Sequence, residues 1–354
     1  MLEIGNRSNV FYWQTDRNLT VEGYDKFYLK RNEVSTDTLV NILQNGIKSI
    51  PGKKDISIIS PDDNVTKGNV NIVRKITINN NLYIARMHPQ GIKNRYFFVE
   101  QSALDTVQNT IPAPKILEVH ETNGETDMDF VLMSASNGIT MENAIKANPQ
   151  LEPQLLVEAG QLMAKLHQIK VEKFGSFDNE IAKKENKLIG LHNSYKEFIW
   201  CGLEENIKRL LDFKVIDEIT AEKCLNFYKQ NNFEPLDGPR LIHNDFADWN
   251  NLVDKENISA ILDWDECHAG DPIADLACWS TFYNIARFEK IKEGYNSITK
   301  LPEDFDKRFE YYRLRYTISK MALRVKRAQV DHSDFLKDKI KVGTEALRLS
   351  TCNL

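Results

Sequence analysis

The chain has 354 residues, and its 42% hydrophobic and 27% charged residues are typical of a globular protein with room for about two domains. Its net charge of −5 gives no support for a nucleic-acid partner, and without a signal-peptide pattern or a run of about 18 apolar residues we expect a cytoplasmic protein with no membrane partner. The five cysteines are scattered without C-x-x-C spacing, which argues against a structural zinc site or a disulfide framework and favours free, buried thiols.

Residues 1–55 are interpreted as an N-terminal extension in which one helix is predicted. This helix runs from Ser35 to Gly46, where cap residues precede the apolar positions and a glycine follows them. From Ile56 onward the pattern is that of strands. Val70–Ile78 and Leu82–Met87 are separated by three asparagines, which predicts a hairpin, and Lys93–Val107 has the apolar spacing of a helix.

Two further strands are predicted at Lys115–His120 and Phe130–Ser134, so residues 56–134 describe a small sheet that carries one helix. The later part of the chain is mainly helical. Its clearest helices are predicted at Leu155–Ile169 and within residues 195–230, 304–329 and 335–349. The sequence therefore predicts an α+β fold with a small β-rich lobe at 56–134, a larger helical lobe at 135–354, and a ligand cleft between them.

The chemical centre is predicted at His243, Asp245 and Asn250, which have the spacing H-x-D-x-x-x-x-N, and at Asp263 thirteen residues further along. Phosphoryl transfer requires these residue types: a carboxylate at the acceptor hydroxyl, and an amide and a second carboxylate that hold Mg²⁺. We therefore assign Asp245 to the hydroxyl, and Asn250 and Asp263 to the metal. His243 is predicted to tie the loop to nearby backbone through its ring nitrogens.

A hairpin would give the two metal ligands a reason to meet. The strand-like segments on either side of residues 254–257 are predicted to pair with Val253 opposite Ile258, which places Asn250 opposite Ile261. Because neighbouring strands lie about 4.8 Å apart, both oxygen ligands could reach one hard cation.

The segment after this hairpin predicts the start of a helix, with Asp271 as the N-cap and Pro272 as the first helical residue. Asp275 lies one turn inside. It either hydrogen-bonds back to the catalytic loop or only interacts with the positive end of the helix, and we favour the former.

The stretch HNDFADWNN, followed by ILDWDECHAGDPIADLA, resembles the signature of the aminoglycoside phosphotransferase and choline kinase-like family. The resemblance is strongest over residues 236–285 and is absent from the first fifty residues. It implies the two-lobed protein-kinase-like fold, with Asp245 as the catalytic aspartate and Asn250 and Asp263 as the Mg²⁺ ligands. It also implies ATP or GTP as the phosphate donor.

The family has a basic residue on the third strand of the small lobe, which touches phosphates and pairs with a glutamate on the following helix. The matching residues are Arg86 and Glu100, and arginine can hold phosphate and carboxylate with two hydrogen bonds each. The alternative is a plain surface ion pair.

Two further nucleotide contacts are expected from the same resemblance. Residues 62–71 lie where the loop that covers the phosphates belongs, and Asn64, Thr66 and Gly68 are its candidate contacts. Met133 to Ala135 lies where the hinge between the lobes would contact the purine.

The candidate substrate contacts surround the catalytic loop. Trp249 is the tryptophan that we expect at the substrate, whereas Trp264 and Trp279 are expected in the core. Four carboxylates either form an acidic wall for a polyamine substrate or belong to a solvated face: Asp248, Asp265, Glu266 and Glu197.

The resulting interpretation is a small-molecule O-phosphotransferase. An aminoglycoside-type antibiotic is the first candidate for the acceptor, because residues 194–200 lie where a helical insertion would contact substrate and the nearby acids suit a polycation. Choline, homoserine or a thio-sugar is the metabolic alternative. A kinase fold that binds nucleotide without catalysis would have lost Asp245, Asn250 or Asp263, and a metal-dependent hydrolase would need a second histidine at ligand spacing.

Overall fold

The computed structural model describes residues 2–4, 7–12, 34–50, 52, 56–59, 71–90, 92–94, 96–122 and 128–352. These residues form a β-rich lobe and a larger, mainly helical lobe, which confirms the α+β, two-lobed fold class. Among the helices of these ranges, none has both the length and the hydropathy of a membrane span. All five cysteines are free thiols, and all except Cys352 are buried.

The small lobe is built on a five-stranded antiparallel sheet. Its elements, numbered along the chain, are β1 (Leu2–Ile4), α1 (Thr36–Gly46), β2 (Ile56–Ile58), β3 (Ile72–Ile78), β4 (Asn81–Met87), β5 (Ile92–Asn94), α2 (Phe97–Val107), β6 (Ile116–His120) and β7 (Phe130–Ser134). The strand order in the sheet is β2, β3, β4, β7, β6. Alternate residues of β3 are buried, and α1 shares their core through Leu39 and Leu43. Helix α1 thus belongs to the packing of this lobe.

The predicted hairpin is present, with a turn one residue shorter than the sequence indicates. Ile78 pairs with Asn81, so that only Asn79 and Asn80 form the turn. Their φ angles are 50° and 65°, in the left-handed region that two-residue hairpin turns require and that asparagine tolerates better than most residues.

The helix predicted at Lys93–Val107 begins later, at Phe97. The first part of that range is strand β5 instead, which pairs in parallel with β1 at the very start of the chain. A pairing between segments so far apart leaves no periodic signal in either of them, which is why the sequence pattern missed it.

The large lobe contains ten α-helices among the described residues, two short 3-10 helices (Pro149–Leu151 and Asp248–Asn250) and several short strands. The helices are α3 (Met141–Ala147), α4 (Glu152–Leu166), α5 (Asn179–Glu185), α6 (Tyr195–Trp200), α7 (Leu203–Asp212), α8 (Glu218–Gln230), α9 (Pro272–Ser280), α10 (Ile285–Ile298), α11 (Phe305–Arg327) and α12 (Asp334–Thr351). The strands are β8 (Ile139–Thr140), β9 (Phe174–Phe177), β10 (Gly190–His192), β11 (Arg240–Ile242), β12 (Asn251–Asp254), β13 (Asn257–Ile261) and β14 (His268–Gly270). The sequence predicted β12 and β13 but not the other strands, which are too short to show alternation.

Helices α4 and α10 approach each other closely because each carries a glycine at the contact. A Cβ atom on Gly160 would lie 2.1 Å from the Ile291 carbonyl oxygen, and one on Gly294 would lie 1.9 Å from the Val157 carbonyl oxygen. Backbone atoms cannot rotate out of the way, so only glycine fits at both positions.

Gly294→Ala is therefore expected to lower the free energy of unfolding by about 1–3 kcal/mol, because the clash outweighs the gain of about 1 kcal/mol that alanine has over glycine in a helix. Denaturant titration measures the change. Glu293→Ala, at the exposed neighbouring position, is the control and should change stability by less than about 0.5 kcal/mol. Equal stability of Gly294→Ala and the wild type would contradict this packing.

Candidate active site

The loop that carries Asp245 is anchored by a buried carboxylate in the first turn of α9. The two oxygens of Asp275 accept the His243 N–H at 3.0 Å and the Asn244 N–H at 2.9 Å. His167 Nε2 lies 3.1 Å from the same carboxylate. Burial raises the pKa of Asp275, but the hydrogen bonds from His167 and the loop outweigh it and leave the pKa lowered. The predicted hydrogen bond from Asp275 back to the loop is confirmed.

The start of α9 follows the predicted capping pattern. The Asp271 side chain accepts the Ile273 N–H at 2.9 Å, and Pro272 is the first helical residue. Arg308 and Tyr312 of α11 hold the other oxygen of Asp271, at 2.8 and 2.9 Å. The helix that presents Asp275 is therefore fixed at its N-terminus by the large-lobe core.

His243 is fully buried and joins the loop to the segment before Asp263. Its Nδ1 accepts the Asp245 N–H at 3.2 Å, and its Nε2 donates to the Leu262 carbonyl at 3.0 Å. Burial lowers the pKa of His243 to about 4, so the ring is neutral near pH 7 and one tautomer makes both hydrogen bonds. The histidine orients backbone on both sides of the site.

Asp245 and Asn250 are held face to face. Asn250 Nδ2 donates to Asp245 Oδ2 at 2.8 Å and to the Asp245 carbonyl at 2.9 Å. Because both hydrogens of the amide are used, its Oδ1 points away from the carboxylate and remains available as a ligand. Burial raises the pKa of Asp245 to about 6, against the opposing effects of Lys320 and Asn250.

The hairpin that was expected to bring the two metal ligands together is formed by β12 and β13, with Val253 opposite Ile258 as predicted. The prediction is wrong by one residue beyond that pair, because Ile261 pairs with Asn251 and not with Asn250. A bulge changes the register, and an alternating pattern of apolar residues does not reveal such an insertion.

Asn250 and Asp263 nevertheless lie at the same end of the hairpin. The Asn250 carbonyl accepts the N–H of Leu262, the residue before Asp263, at 2.7 Å. Asp263 has a φ of 64°, a left-handed conformation that is uncommon outside glycine and is often found at functional sites. Its side chain is 41% exposed in the cleft.

Four carboxylates gather in this cleft: Asp245, Asp263, Asp265 and Glu266. Desolvation by the cleft walls raises the pKa of Asp263 and of Glu266 above the ordinary carboxyl range, and the Asp265 charge raises both further. The Arg7 charge lowers the pKa of Glu266, and the Arg86 charge lowers the pKa of Asp263, but neither outweighs the desolvation. Such a concentration of negative charge favours the binding of a cation.

Arg86 connects the small lobe to this cluster. It forms an ion pair with Glu100 of α2, and its Nη1 lies 2.9 Å from Asp263 Oδ1. Arg86 is 7% exposed and Glu100 is inaccessible, so the pair is not a surface ion pair. Within the described part of the chain, Arg86 Nε has no hydrogen-bond partner although it is buried.

Arg7 is a residue of the site that sequence analysis missed. Its Nη1 donates to the Asp265 carbonyl and lies 3.3 Å from Glu266 Oε1, and its guanidinium stacks 3.8 Å above the Tyr96 ring. Arg7 thereby joins the residue before α2 to the segment that follows Asp263. A single arginine in a polar stretch has no spacing that would have marked it.

Replacing Arg7 with methionine is expected to destabilise the protein by about 3 kcal/mol, because Glu266 would lose its buried counter-charge. Glu266→Gln in the same chain should recover part of the loss, with a coupling energy of about 1–3 kcal/mol in a double-mutant cycle from denaturant titrations. The exposed pair Arg313–Glu310 is the control and should show less than about 1 kcal/mol of coupling. Equal coupling in both pairs would contradict a buried role for Arg7.

The predicted substrate residues are only partly brought together. Asp265 and Glu266 lie in the carboxylate cluster, but Asp248 is buried elsewhere and pairs with Arg287 at 2.6 Å. Trp249 is 42% exposed and its ring centroid lies 5.1 Å from that of a neighbouring phenylalanine. Asp248 therefore does not present a free carboxylate to the cleft.

The remaining aromatic and acidic candidates have structural positions. Trp264 and Trp279 are buried, which confirms their assignment to the core. Glu197 accepts the N–H of Asn193 at 2.9 Å and completes a capping box at the start of α6. It is thus not part of an acidic wall at Asp245.

The candidate nucleotide contacts are described in part. Met133 is buried in β7, and Ala135 follows the last residue of that strand, where the chain leaves the sheet for the large lobe. Asn64, Thr66 and Gly68 lie outside the described residues.

Mg²⁺ fits the donor set. Within the described ranges, no group of three or more His, Cys, Asp or Glu side chains is arranged to hold a metal alone. Asn250 Oδ1 and the Asp263 carboxylate are two oxygen atoms that could bind such an ion, and this number suits an ion that takes few protein ligands and completes its shell with phosphate oxygens and water.

Comparison with known proteins assigns the chain to a family. A sequence model of the phosphotransferase enzyme family (APH) matches residues 74–307, more than half of the chain. The chain belongs to the phosphotransferase enzyme family. It is a small-molecule kinase with an alcohol group as acceptor. No curated protein matches this phosphotransferase in sequence.

Solved structures show the same fold. Aminoglycoside phosphotransferase APH(4)-Ia, as a thermostable mutant in the apo form, has a TM-score of 0.61 at 16% identity, covering 88% of this phosphotransferase and 99% of that chain. A related mutant in ternary complex with AMP-PNP and hygromycin B has a TM-score of 0.62 at 16% identity, with 87% and 98% covered. The GDP complex of an aminoglycoside 2'-phosphotransferase-IIIa mutant has a TM-score of 0.59 at 15% identity, with 90% and 98% covered.

Proposed function

We propose that this phosphotransferase moves the γ-phosphoryl group of ATP or GTP to a hydroxyl group of a small molecule, with Asp245 at the acceptor. The observation that supports the proposal is the pair of hydrogen bonds from Asn250 to Asp245, which holds the proposed metal ligand next to the residue proposed to contact the hydroxyl. The acceptor oxygen bonds to the γ-phosphorus as the bond to the β–γ bridging oxygen breaks. The nucleoside diphosphate leaves, and the hydroxyl proton passes to Asp245.

Asn250 and Asp263 are proposed to hold Mg²⁺. The metal would neutralise negative charge on the β- and γ-phosphates. His243 and Asp275 keep the loop in place through backbone hydrogen bonds, so that the Asp245 carboxylate does not have to reorganise during the transfer.

Arg86 is proposed to contact the phosphates, because its guanidinium reaches the proposed metal ligand Asp263 and Glu100 holds it in place. AMP-PNP and GDP are bound by different structural neighbours, which supports both ATP and GTP as candidate donors. The other proposed nucleotide contacts are Asn64, Thr66, Gly68, Met133 and Ala135.

An aminoglycoside is the first candidate for the acceptor. A structural neighbour binds hygromycin B together with AMP-PNP, and in the present chain Asp265 and Glu266 lie near Asp245, while Trp249 is exposed and lies next to Asp245. A cationic, hydroxyl-rich ring system could use these groups for ion pairing and stacking.

A metabolic hydroxyl compound is the second candidate, and a specific observation favours it. Glu266 is paired with Arg7, and Asp248 is paired with Arg287, so two carboxylates of the supposed acidic wall already have cationic partners. A polycation would find fewer free charges here than the sequence indicates.

An acceptor screen tests the function. The purified protein would be incubated with Mg²⁺ and ATP or GTP in the presence of hygromycin B, choline, homoserine or 5-methylthioribose, with mass spectrometry of the product. We expect nucleotide consumption that depends on one acceptor and yields its phosphate monoester. Hydrolysis that ignores every acceptor and survives Asp245→Ala would indicate a hydrolase, and nucleotide binding without turnover would indicate a non-catalytic protein.

A further inference from the structure

A third cation stands beside the carboxylate cluster, in addition to Arg7 and Arg86. Lys320 lies in the middle of α11, beyond the segment that matches the family, and only 4% of it is exposed. Unlike the two arginines, it has no carboxylate of the described residues within ion-pair distance, so no local salt bridge explains why a charged residue is buried here.

The ammonium group is held by a cage of uncharged groups. Lys320 Nζ donates to the Cys278 carbonyl at 3.4 Å and to Thr281 Oγ1, and it lies 3.3 Å from the centroid of the Phe282 ring. The Tyr12 ring of the N-terminal segment stands 5.2 Å away on another side. A cation–π contact and two hydrogen bonds fix the position of the charge.

The cage is built from residues that also contact the catalytic loop. Cys278 Sγ donates to the carbonyl of Asn244, directly before Asp245, at 3.0 Å. The Phe282 ring stacks edge-on against Trp249 of the loop with centroids 5.1 Å apart. Lys320 is therefore placed where its charge acts on the Asp245 carboxylate.

Removing the charged Lys320 ammonium from water costs free energy. Burial lowers the pKa of Lys320 to about 8, so the side chain is still mostly protonated near pH 7. An apolar side chain of similar length would fill the same space without the cost of desolvating a charge. The Lys320 ammonium and the Asp245 carboxylate act on each other electrostatically.

We propose that Lys320 is a positioning residue for phosphoryl transfer and that it acts through Asp245. Its positive charge offsets negative charge where the Asp245 carboxylate, the acceptor hydroxyl and the phosphoryl group meet. The inference rests on the proposed function of Asp245. The carboxylate and the transferred phosphoryl group are both negative, so a fixed cation behind the carboxylate reduces their repulsion as the bond forms.

Lys320→Met removes the charge and keeps most of the volume. We expect kcat for Mg²⁺-dependent nucleotide turnover to fall by about 10- to 100-fold, with the KM for nucleotide within about twofold of the wild type. Turnover is measured with the acceptor found by the screen, or with water as the acceptor if none is found. Lys307→Met, at an exposed position of the same helix, is the control and should leave both constants unchanged.

Chemical rescue with a small cation distinguishes an electrostatic role of Lys320 from a packing role. Added ethylammonium should raise the kcat of Lys320→Ala at least tenfold, whereas the uncharged 1-propanol should not raise it. If Lys320→Met does not fold, Lys320→Gln replaces it, because an amide can still donate to Cys278 and Thr281. Unchanged kcat in the neutral variants, or equal rescue by ethylammonium and 1-propanol, would overturn the proposal.

These outcomes are distinct from a failure of the proposed function itself. If the wild-type protein shows no Mg²⁺-dependent turnover of ATP or GTP, then the assignment of Asp245 fails and the role of Lys320 fails with it. If the wild type is active and Lys320→Met retains its kcat, then only the role of Lys320 is refuted.

Discussion

Replacing Asp245 with asparagine is expected to lower kcat by about 10²- to 10⁴-fold while nucleotide affinity stays within about twofold. The substitution keeps the shape of the side chain and removes the charge that is proposed to orient the acceptor hydroxyl and to take its proton. Asn250 would still have the Asp245 backbone carbonyl as a partner, so this proposed metal ligand should remain in place. Steady-state turnover gives kcat, and calorimetric titration with AMP-PNP and Mg²⁺ gives the affinity.

The control for this experiment is Asp237→Asn. Asp237 is largely exposed, lies before the strand that leads into the loop, and has only a long contact of 3.9 Å to Arg240. Its substitution removes the same charge from the same lobe and should leave kcat unchanged. Retention of more than a tenth of the wild-type kcat in Asp245→Asn would remove Asp245 from its proposed role.

Asp275→Ala is expected to lower the free energy of unfolding by about 3–5 kcal/mol. Alanine would leave the N–H groups of His243 and Asn244 without their acceptor in a buried site, and His167 would lose its carboxylate partner. Asp306→Ala is the control, because Asp306 is also an aspartate in the first turn of a helix but is exposed. It should change stability by less than about 1 kcal/mol.

The stability difference between wild type and Asp275→Ala also has an expected pH dependence. Because the folded-state pKa of Asp275 is lowered, its ionised form stabilises the protein fully above the unfolded pKa of about 3.9. This contribution is lost as the pH falls through the lower, folded-state pKa. Denaturant titrations at pH 7 and pH 5 should therefore give the same difference, and the difference should shrink only below about pH 4. A difference that already shrinks between pH 7 and pH 5 would contradict a lowered pKa.

The local structure of the segment that is proposed to carry the chemistry could be predicted because its parts are close in the chain. Loop, hairpin and helix start follow one another, and their residue types and turn compositions are local signals. The same signals could not reveal the bulge that moves Ile261 from Asn250 to Asn251, because an insertion into a strand is decided by pairing and leaves no mark on the pattern.

The charge balance of the site could not be predicted from composition. Asp248, Asp265, Glu266 and Glu197 have the same carboxylate character in the sequence, yet Asp248 is paired with Arg287, Glu266 is paired with Arg7, and Glu197 caps a helix. Whether Asp248 or Glu266 is free to contact a substrate depends on an arginine that is distant in the chain, so no local pattern could test it. Glu197 differs, because the Ser194-x-x-Glu197 spacing is itself a local signal of a capping box.

By itself, the sequence determined the two-lobed α+β architecture and the segment from His243 to Asp275, because periodicity, turns and short spacings act between neighbours in the chain. Only the tertiary structure decided which charges face that segment. Arg7 comes from the N-terminal segment and contacts Asp265 and Glu266, whereas Lys320 comes from a helix near the other end and contacts residues that touch the loop of Asp245. Burial and electrostatic interaction depend on distance in space, and distance along the chain does not report it.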